Sequence, residues 1–227
     1  MTNPVLPPDV LARRSALPSK PETPVIAGSF ITLTPYDAAR HAAPLWQVSN
    51  GQSFALGGKT CPAYDADVLI WRYMADGPFA DIEAFTRYMQ THLDDPARGT
   101  FTVLENASQH PVGVITLMSN VPASLKVELG SIWYSPIAQR TNANLEATYL
   151  LLRHTFGLGY RRVEWKCDAL NERSRRAALR MGFRFEGIQE AHMIIKDRNR
   201  DTAWFRILDH EWPGVRARLE ALLAQPR

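Results

Sequence analysis

The chain has 227 residues, of which 45% are hydrophobic and 22% charged, so its composition is that of a globular protein with one sizeable core. Its formal net charge is +3, from 26 basic and 23 acidic residues, which is too even a balance to favour a nucleic-acid partner. No apolar run reaches the ~18 residues of a membrane span and no signal pattern is present, so the sequence predicts a cytoplasmic protein without a membrane partner.

Residues 1–27 are rich in proline, with six in that stretch: Pro4, Pro7, Pro8, Pro18, Pro21 and Pro24. Proline removes a backbone donor and fixes φ, so the segment is predicted to be a tail with little regular structure, either free or packed as an extended arm. The folded domain is predicted to occupy residues 28–227.

The first half of the domain carries alternating strand and helix signals. Residues 30–33 alternate as a strand, and Asp37 is placed to cap a helix that runs through Trp46. Residues 51–67 are rich in glycine and are predicted to be irregular. Asp81 is placed to cap a second helix, whose apolar residues recur at helical spacing.

Three strands are predicted next, over residues 100–104, 112–118 and 126–134. The third strand has the sequence KVELGSIWY, which Gly130 interrupts. A glycine inside a strand marks a bulge or a close approach of another backbone, so an irregularity is expected at this point.

A strongly periodic helix follows, because a single apolar stripe is formed by Leu145, Tyr149, Leu152 and Phe156. Residues 162–168 then alternate as a strand, so the unit 126–168 is predicted to be a strand–helix–strand crossover. Asn171 opens a short helix and Gly182 closes it.

The C-terminal part is predicted to be a hairpin and a helix. Residues 183–186 and 192–196 have strand character, residues 197–200 form a turn, and residues 201–208 return antiparallel. A final helix is predicted over residues 211–224. This order of elements predicts a mixed α/β (α+β) fold.

The loop from Ser135 to Ala143 leads from a predicted strand into the periodic helix. A helix N-terminus offers free N–H groups and the positive end of the helix dipole, which suit a phosphate or diphosphate group. Most such loops bind nothing, so an ordinary connection stays the alternative on this pattern alone.

Residues 126–187 resemble the cofactor-binding core of the GNAT acetyltransferases, in particular the branch with the ribosomal-protein N-terminal acetyltransferases. The resemblance rests on two stretches, VELGSIWYSPIAQRTNANLEATYLLLRHTF and GYRRVEWKCDALNERSRRAALRMGFRFEG. The second is the more specific, with a strand, an N-x-x-S motif and a short helix that ends in Gly-Phe. Weaker similarity extends from about Phe30 to Trp212.

This resemblance implies a mostly antiparallel sheet with a splayed central pair of parallel strands and flanking helices. Acetyl-CoA would be the co-substrate, with its pantetheine arm bound to backbone near Ile132, Trp133 and Tyr134. A primary amine would attack the thioester directly, so no covalent enzyme intermediate is expected. The acceptor stays open between a protein N-terminus and a small molecule, and the assembly between a monomer and a homodimer.

The family's diphosphate loop has the pattern Q/R-x-x-G-x-G/A, which in this chain corresponds to Gln139, Arg140, Thr141, Asn142, Ala143 and Asn144. Gln139 matches the pattern, whereas asparagines occupy both glycine positions. Asparagine adopts left-handed backbone more readily than most residues, so a similar cradle is expected. The missing glycines also motivate an alternative function, a catalytically silent module that binds or senses acyl-CoA.

Glu128 is the first candidate for the general base, acting directly or through water, because a carboxylate in the central strand would be partly desolvated. Its alternative is a solvated or salt-bridged strand residue. Asp168 is the second candidate, and its alternative is a loop cap. These roles follow from the mechanism that the resemblance implies.

The leaving thiolate needs a proton, and Ser174 is the first candidate donor because it lies three residues after Asn171, as in the N-x-x-S motif. Tyr134 is an alternative acid. Asn171 is expected to bind the cofactor arm or the substrate. The alternative for both Asn171 and Ser174 is that they only cap the short helix.

Aromatic residues and one histidine complete the candidates for the acceptor pocket. Trp71 and Tyr73 either roof the pocket or form a buried aromatic corner. His192 opens a strand of the C-terminal hairpin and is a further candidate at the substrate mouth. The six histidines form no HxxxH or HExxH spacing and the two cysteines no CxxC pair, so no metal site is predicted.

Overall fold

The computed structural model describes residues 5–225, which form ten strands and six α-helices. The strands are β1 (Ile26–Ala27), β2 (Ile31–Pro35), β3 (Phe54–Leu56), β4 (Lys59–Cys61), β5 (Gly99–Glu105), β6 (His110–Val121), β7 (Lys126–Tyr134), β8 (Arg162–Asp168), β9 (Arg184–Ile195) and β10 (Arg198–Leu208). The helices are α1 (Pro8–Ala16), α2 (Ala38–Gln47), α3 (Ile82–Asp94), α4 (Ala143–Gly157), α5 (Glu172–Arg180) and α6 (Trp212–Leu223). A π-helical turn and two 3₁₀ turns lie between them, over Asp67–Trp71, Pro122–Ser124 and Asp209–Glu211.

Eight of the strands form one sheet, in the order β1-β2-β5-β6-β7-β8-β10-β9, and β3 and β4 form a separate hairpin. Every neighbouring pair in the large sheet is antiparallel except β7 and β8, which run parallel and are connected through α4. The predicted fold class, a mixed and mostly antiparallel sheet with one central parallel pair and flanking helices, is confirmed. None of the helices within residues 5–225 combines the length and apolar character that crossing a bilayer needs.

Side-chain caps begin three of the helices at the residues that the sequence predicts. Asp37 accepts a hydrogen bond from the backbone N–H of Arg40, and Asp81 accepts one from Ala84 at 2.7 Å. The short helix α5 begins in the same way at Asn171. A cap of this kind satisfies one of the otherwise unpaired N–H groups of the first helical turn, which is why these residue types set the start of the helix.

The sheet buries side chains on both of its faces, and β7 contributes to both cores. Val127 and Leu129 of β7 belong to a cluster with Val163 of β8 and the leucines of α4. Trp133 belongs to a second cluster, largely aromatic, with Phe85 of α3. Each fully buried side chain of this size stabilises the fold by about 1.5–3 kcal/mol, so β7 is held firmly between two packed layers.

The N-terminal segment departs from the prediction, because it contains a helix and a short strand. Pro8 is the first residue of α1, where its missing N–H costs nothing, and residues 9–16 contain no further proline. Leu17 is buried, and Asn120 donates hydrogen bonds to the carbonyls of Pro18 and Ser19. The segment is thus packed against the sheet, and the division between residues 1–27 and 28–227 stays a prediction, with residues 1–4 outside the described part.

Two turns were also misplaced by the sequence analysis. Residues 51–67 were expected to be irregular, yet Gly57 and Gly58 form a two-residue hairpin turn with φ of +55° and +76°. Glycine pairs favour this turn because both central residues need positive φ. The second hairpin turns at Lys196 and Asp197, rather than over residues 197–200, and its strands continue through the gap predicted between them.

Candidate active site

The parallel strands β7 and β8 separate halfway along their length. Their pairing runs from Lys126 opposite Arg162 to Leu129 opposite Trp165 and ends there. Beyond this point β8 continues beside β10, as far as Asp168, while β7 continues beside β6. A gap therefore opens between two neighbouring strands of the same sheet, with the backbone of β7 along one side.

A bulge in β7 accompanies the separation. The register between β6 and β7 shifts by one residue between the pairs Val114–Trp133 and Thr116–Gly130, and Ser131 has a φ of +47°. A Cβ at Gly130 would collide with Met118 Sδ, so a larger residue would force the Met118 side chain to move. Gly130 thus marks the irregularity that the sequence predicts.

The loop before α4 differs from the cradle that the sequence predicts. Asn142 has right-handed backbone, with φ −76° and ψ −7°, and Arg140 carries the left-handed conformation with a φ of +63°. The expectation that asparagine supplies left-handed backbone is therefore wrong. Thr141 organises the turn instead, because its hydroxyl donates to the carbonyl of Ala138 and accepts from the N–H of Ala143.

Among residues 5–225, eleven buried side-chain polar atoms have no hydrogen-bond partner, and four of them belong to residues 134–144. These four are Tyr134 OH, Ser135 Oγ, Asn142 Oδ1 and Asn144 Oδ1. Buried polar groups almost always have a partner, so their concentration here fits a site that takes a polar ligand. The first turn of α4 adds backbone N–H groups and the positive end of a 15-residue helix. The backbone N–H groups of this turn therefore suit an anionic group such as the diphosphate of coenzyme A, whereas the two asparagine oxygens can only accept a hydrogen bond.

A segment for which the sequence predicts no helix or strand is attached to the borders of the gap. The π-helical turn Asp67–Trp71 accepts three side-chain hydrogen bonds at its carbonyls: Gln139 Nε2 to Leu69 at 3.1 Å, Arg173 Nη2 to Val68 at 2.8 Å and Lys196 Nζ to Trp71 at 2.8 Å. The donors come from the loop before α4, from α5 and from the β9–β10 turn. The turn thus connects the candidate cofactor site with the C-terminal hairpin.

Glu128 lies one residue before the end of the parallel pairing, and its side chain is only 5% exposed. Its Oε2 lies 2.6 Å from Lys166 Nζ and accepts a hydrogen bond from Ser119 Oγ at 3.0 Å. Its Oε1 would be 3.1 Å from a Cβ at Gly130, beside the bulge. The salt bridge that was an alternative interpretation of Glu128 is therefore present. The role of Glu128 as general base stays a prediction.

Ser174 lies on the first turn of α5 and faces β8. Its Oγ accepts a hydrogen bond from Trp165 Nε1 at 3.0 Å, and its backbone N–H donates to Asn171 Oδ1. Burial raises the pKa of the Cys167 thiol, and a hydrogen bond with Ser174 partly offsets this. A buried thiol of raised pKa is a poor nucleophile, which agrees with direct attack by the amine.

The two remaining catalytic candidates have different surroundings. Asp168 Oδ1 accepts from the N–H of Leu170 at 2.8 Å, which is the loop cap that the sequence left as the alternative. Burial raises the pKa of Tyr134 well above its usual range, so its phenol stays protonated. Tyr134 therefore retains a proton to donate, whereas the carboxylate of Asp168 is occupied by its own loop.

Comparison with known proteins decides the family, because residues 59–184 match the family model of the acetyltransferase (GNAT) domain. The chain belongs to the GNAT acetyltransferase family. The matched residues extend from β4 to the start of β9 and contain the whole gap between β7 and β8. The sequence matches no curated protein.

Solved GNAT structures share this fold over most of the chain. A GCN5-related N-acetyltransferase from Brucella melitensis is 37% identical over 90% of this chain and 87% of that one, with a TM-score of 0.81. A protein described as a probable GNAT acetyltransferase from Chromobacterium violaceum is 34% identical over 86% and 90%, with a TM-score of 0.75. RimL, a ribosomal alpha-N-protein acetyltransferase, is 16% identical over 82% and 94%, with a TM-score of 0.67, and so shares the fold.

Within this GNAT domain the residues expected at the acceptor pocket are divided between core and surface. Trp71 is fully buried, donates through Nε1 to the carbonyl of Ser49 and packs against Trp133, so it belongs to the aromatic corner that was the alternative. His192 is exposed and hydrogen-bonded to Thr202 Oγ1 at 2.9 Å. Tyr73 is half-buried, and its place in the pocket stays a prediction.

Proposed function

We propose that the protein is an acetyl-CoA-dependent N-acetyltransferase that acts on a primary amine. The observation that carries the proposal is the gap between β7 and β8, which opens at Leu129 and Trp165 next to a loop rich in unpartnered polar atoms. Acetyl-CoA would supply the acetyl thioester. Its diphosphate would lie at residues 139–144 and its pantetheine arm along residues 132–134.

An amine must lose a proton before or during attack, and Glu128 is the residue best placed to receive it. Because Oε2 is bonded to Lys166 and Ser119, Oε1 is the oxygen that remains for the substrate. Burial of the carboxylate at 5% exposure excludes most of the water that would compete with the amine. Asp168 is the weaker candidate, since its carboxylate caps a loop.

Protonation of the departing thiolate is assigned to Ser174, with Tyr134 as the alternative. The oxygen of Ser174 accepts from the indole N–H of Trp165, so its own hydrogen is the one available to turn from Cys167 to the departing thiolate. Asn171 would hold α5 in place through its cap and contact the cofactor arm from the same position. The reaction then needs no metal-bound group and no acyl-enzyme step.

Calorimetric titration with acetyl-CoA, combined with a thiol-release assay over a panel of amines, tests the proposal. The panel should contain a peptide with a free N-terminus, a polyamine and an amino sugar. Binding together with thiol release on one of these amines is the expected result. Binding without release on any amine would favour the alternative of a silent acyl-CoA-binding module, and absence of binding would refute both.

A further inference from the structure

Two lysine–glutamate pairs cross between β7 and β8, and they differ in their relation to the gap. Lys126 of β7 lies 3.4 Å from Glu164 of β8, in the paired part of the strands. Lys166 of β8 lies 2.6 Å from Glu128 of β7, and it is the first residue of β8 after the pairing ends. Both glutamate side chains are 5% exposed, so each pair holds a buried carboxylate.

Lys166 is fixed in place from a second direction. Its Nζ lies 4.5 Å from the centre of the Trp204 ring, and Trp204 is the residue opposite it on β10. The ring of His192 meets Trp204 edge-on at 6.0 Å, which restricts the indole in turn. An ammonium group over an aromatic face is attracted by the ring quadrupole. The ammonium group of Lys166 is therefore held by the Trp204 ring as well as by the Glu128 carboxylate.

The effect of this arrangement falls on the carboxylate of Glu128. Lys166 and Ser119 both bind Oε2, which fixes the plane of the carboxylate and leaves Oε1 beside Gly130 at the mouth of the gap. Glu164 is the nearest acidic neighbour in the strand register, and it is itself paired with Lys126 and Arg162. The cation that acts on Glu128 is therefore Lys166.

We propose that Lys166, held by Trp204, is a positioning residue that orients the carboxylate of Glu128 and directs its Oε1 towards the amine in the gap. The inference rests on the proposed function and assigns a residue to it that the sequence analysis did not select. Its role is electrostatic and geometric, and Lys166 itself exchanges no proton with the substrate.

The test compares Lys166→Met with the matched control Lys126→Met, by steady-state kinetics between about pH 6 and 9 with an accepted amine. For Lys166→Met we expect kcat to fall about 10- to 100-fold near neutral pH, with KM for acetyl-CoA nearly unchanged. The loss should fall on kcat because Lys166 acts through the orientation of Glu128 and not through cofactor binding. Lys126→Met should keep the wild-type profile.

Two further variants keep the test decisive if Lys166→Met folds poorly. Lys166→Arg retains the charge and should recover most of the lost kcat, whereas Trp204→Leu should lower kcat by less than Lys166→Met, again with KM for acetyl-CoA nearly unchanged. An unchanged kcat in Lys166→Met and Trp204→Leu, or a loss in Lys166→Met that Lys166→Arg does not recover, would overturn the inference. A wild-type protein that releases no thiol with any amine would instead refute the proposed function, and the inference with it.

Discussion

Replacement of Glu146 by alanine is expected to destabilise the domain by about 3 kcal/mol. Glu146 lies in the first turn of α4, and its buried carboxylate accepts three backbone hydrogen bonds from the chain that enters β2. Oε1 accepts from Ser29 at 2.7 Å, and Oε2 accepts from Phe30 at 2.7 Å and from Ile31 at 2.9 Å. Alanine removes both acceptor oxygens and with them all three hydrogen bonds.

The magnitude follows from the burial of the three N–H groups. A buried donor left without a partner costs about 1–3 kcal/mol, so the buried N–H of Ile31 accounts for about 2 kcal/mol. The bonds to Ser29 and Phe30 are partly buried, where water can replace the carboxylate, and count for about 1 kcal/mol each. Removal of a buried charge returns about 1 kcal/mol of desolvation, which leaves about 3 kcal/mol.

In urea unfolding, this loss should appear as a lower midpoint concentration of urea with an unchanged m-value. The melting temperature should fall by about 6–12 °C. Glu146→Gln keeps the shape but turns an amide N–H towards a backbone donor, so about half the effect is expected. The control is Glu172→Ala on α5, whose exposed ion pair with Arg176 should contribute less than about 0.5 kcal/mol. A loss below about 1 kcal/mol for Glu146→Ala would refute the reasoning.

Three further predictions concern the active site and the response to acid. Glu128→Gln should lower turnover by about 100-fold with little change in acetyl-CoA affinity, and equal turnover at every pH between about 6 and 9 would remove Glu128 from the base role. Asn142→Asp should weaken acetyl-CoA binding by about tenfold, since it places negative charge beside the diphosphate; an unchanged Kd would count against the loop. Burial lowers the pKa of His92 to about 4 from 6.5. As the pH falls, the imidazole is therefore protonated in the unfolded chain at a higher pH than in the folded protein. Stability should then fall by up to about 3 kcal/mol as the pH drops from 6.5 towards 4, and His92→Phe should flatten that part of a pH series of unfolding curves.

Helix starts and the irregularity in β7 could be predicted from the sequence, because interactions between residues close in the chain determine them. Asp37, Asp81 and Asn171 cap helices because their side chains reach N–H groups only three residues away. Gly130 could be recognised as an irregularity because a strand interior otherwise disfavours glycine. Sequence reasoning failed in the N-terminal segment, where Pro8 was read as a breaker although it is compatible with the first helical turn.

The chemistry around Glu128 could only be predicted in part. A strand residue before a glycine was a reasonable candidate base, but its partner Lys166 is 38 residues away and Trp204 is 76 residues away in the printed sequence. These residues meet through the register of β7, β8 and β10, which no short sequence window contains. The left-handed residue of the loop was likewise misplaced, because Thr141 rather than Asn142 organises the turn.

The attachment of the π-helical turn has a consequence for which of its positions can vary. Its bonds to Gln139, Arg173 and Lys196 are all accepted by main-chain carbonyls, at Val68, Leu69 and Trp71. Such carbonyls persist whatever side chain the residue carries, so exchanges at positions 68 and 69 would leave the anchors intact. Relatives can therefore exchange these two side chains without losing the three hydrogen bonds that hold the turn to the loop before α4, to α5 and to the C-terminal hairpin.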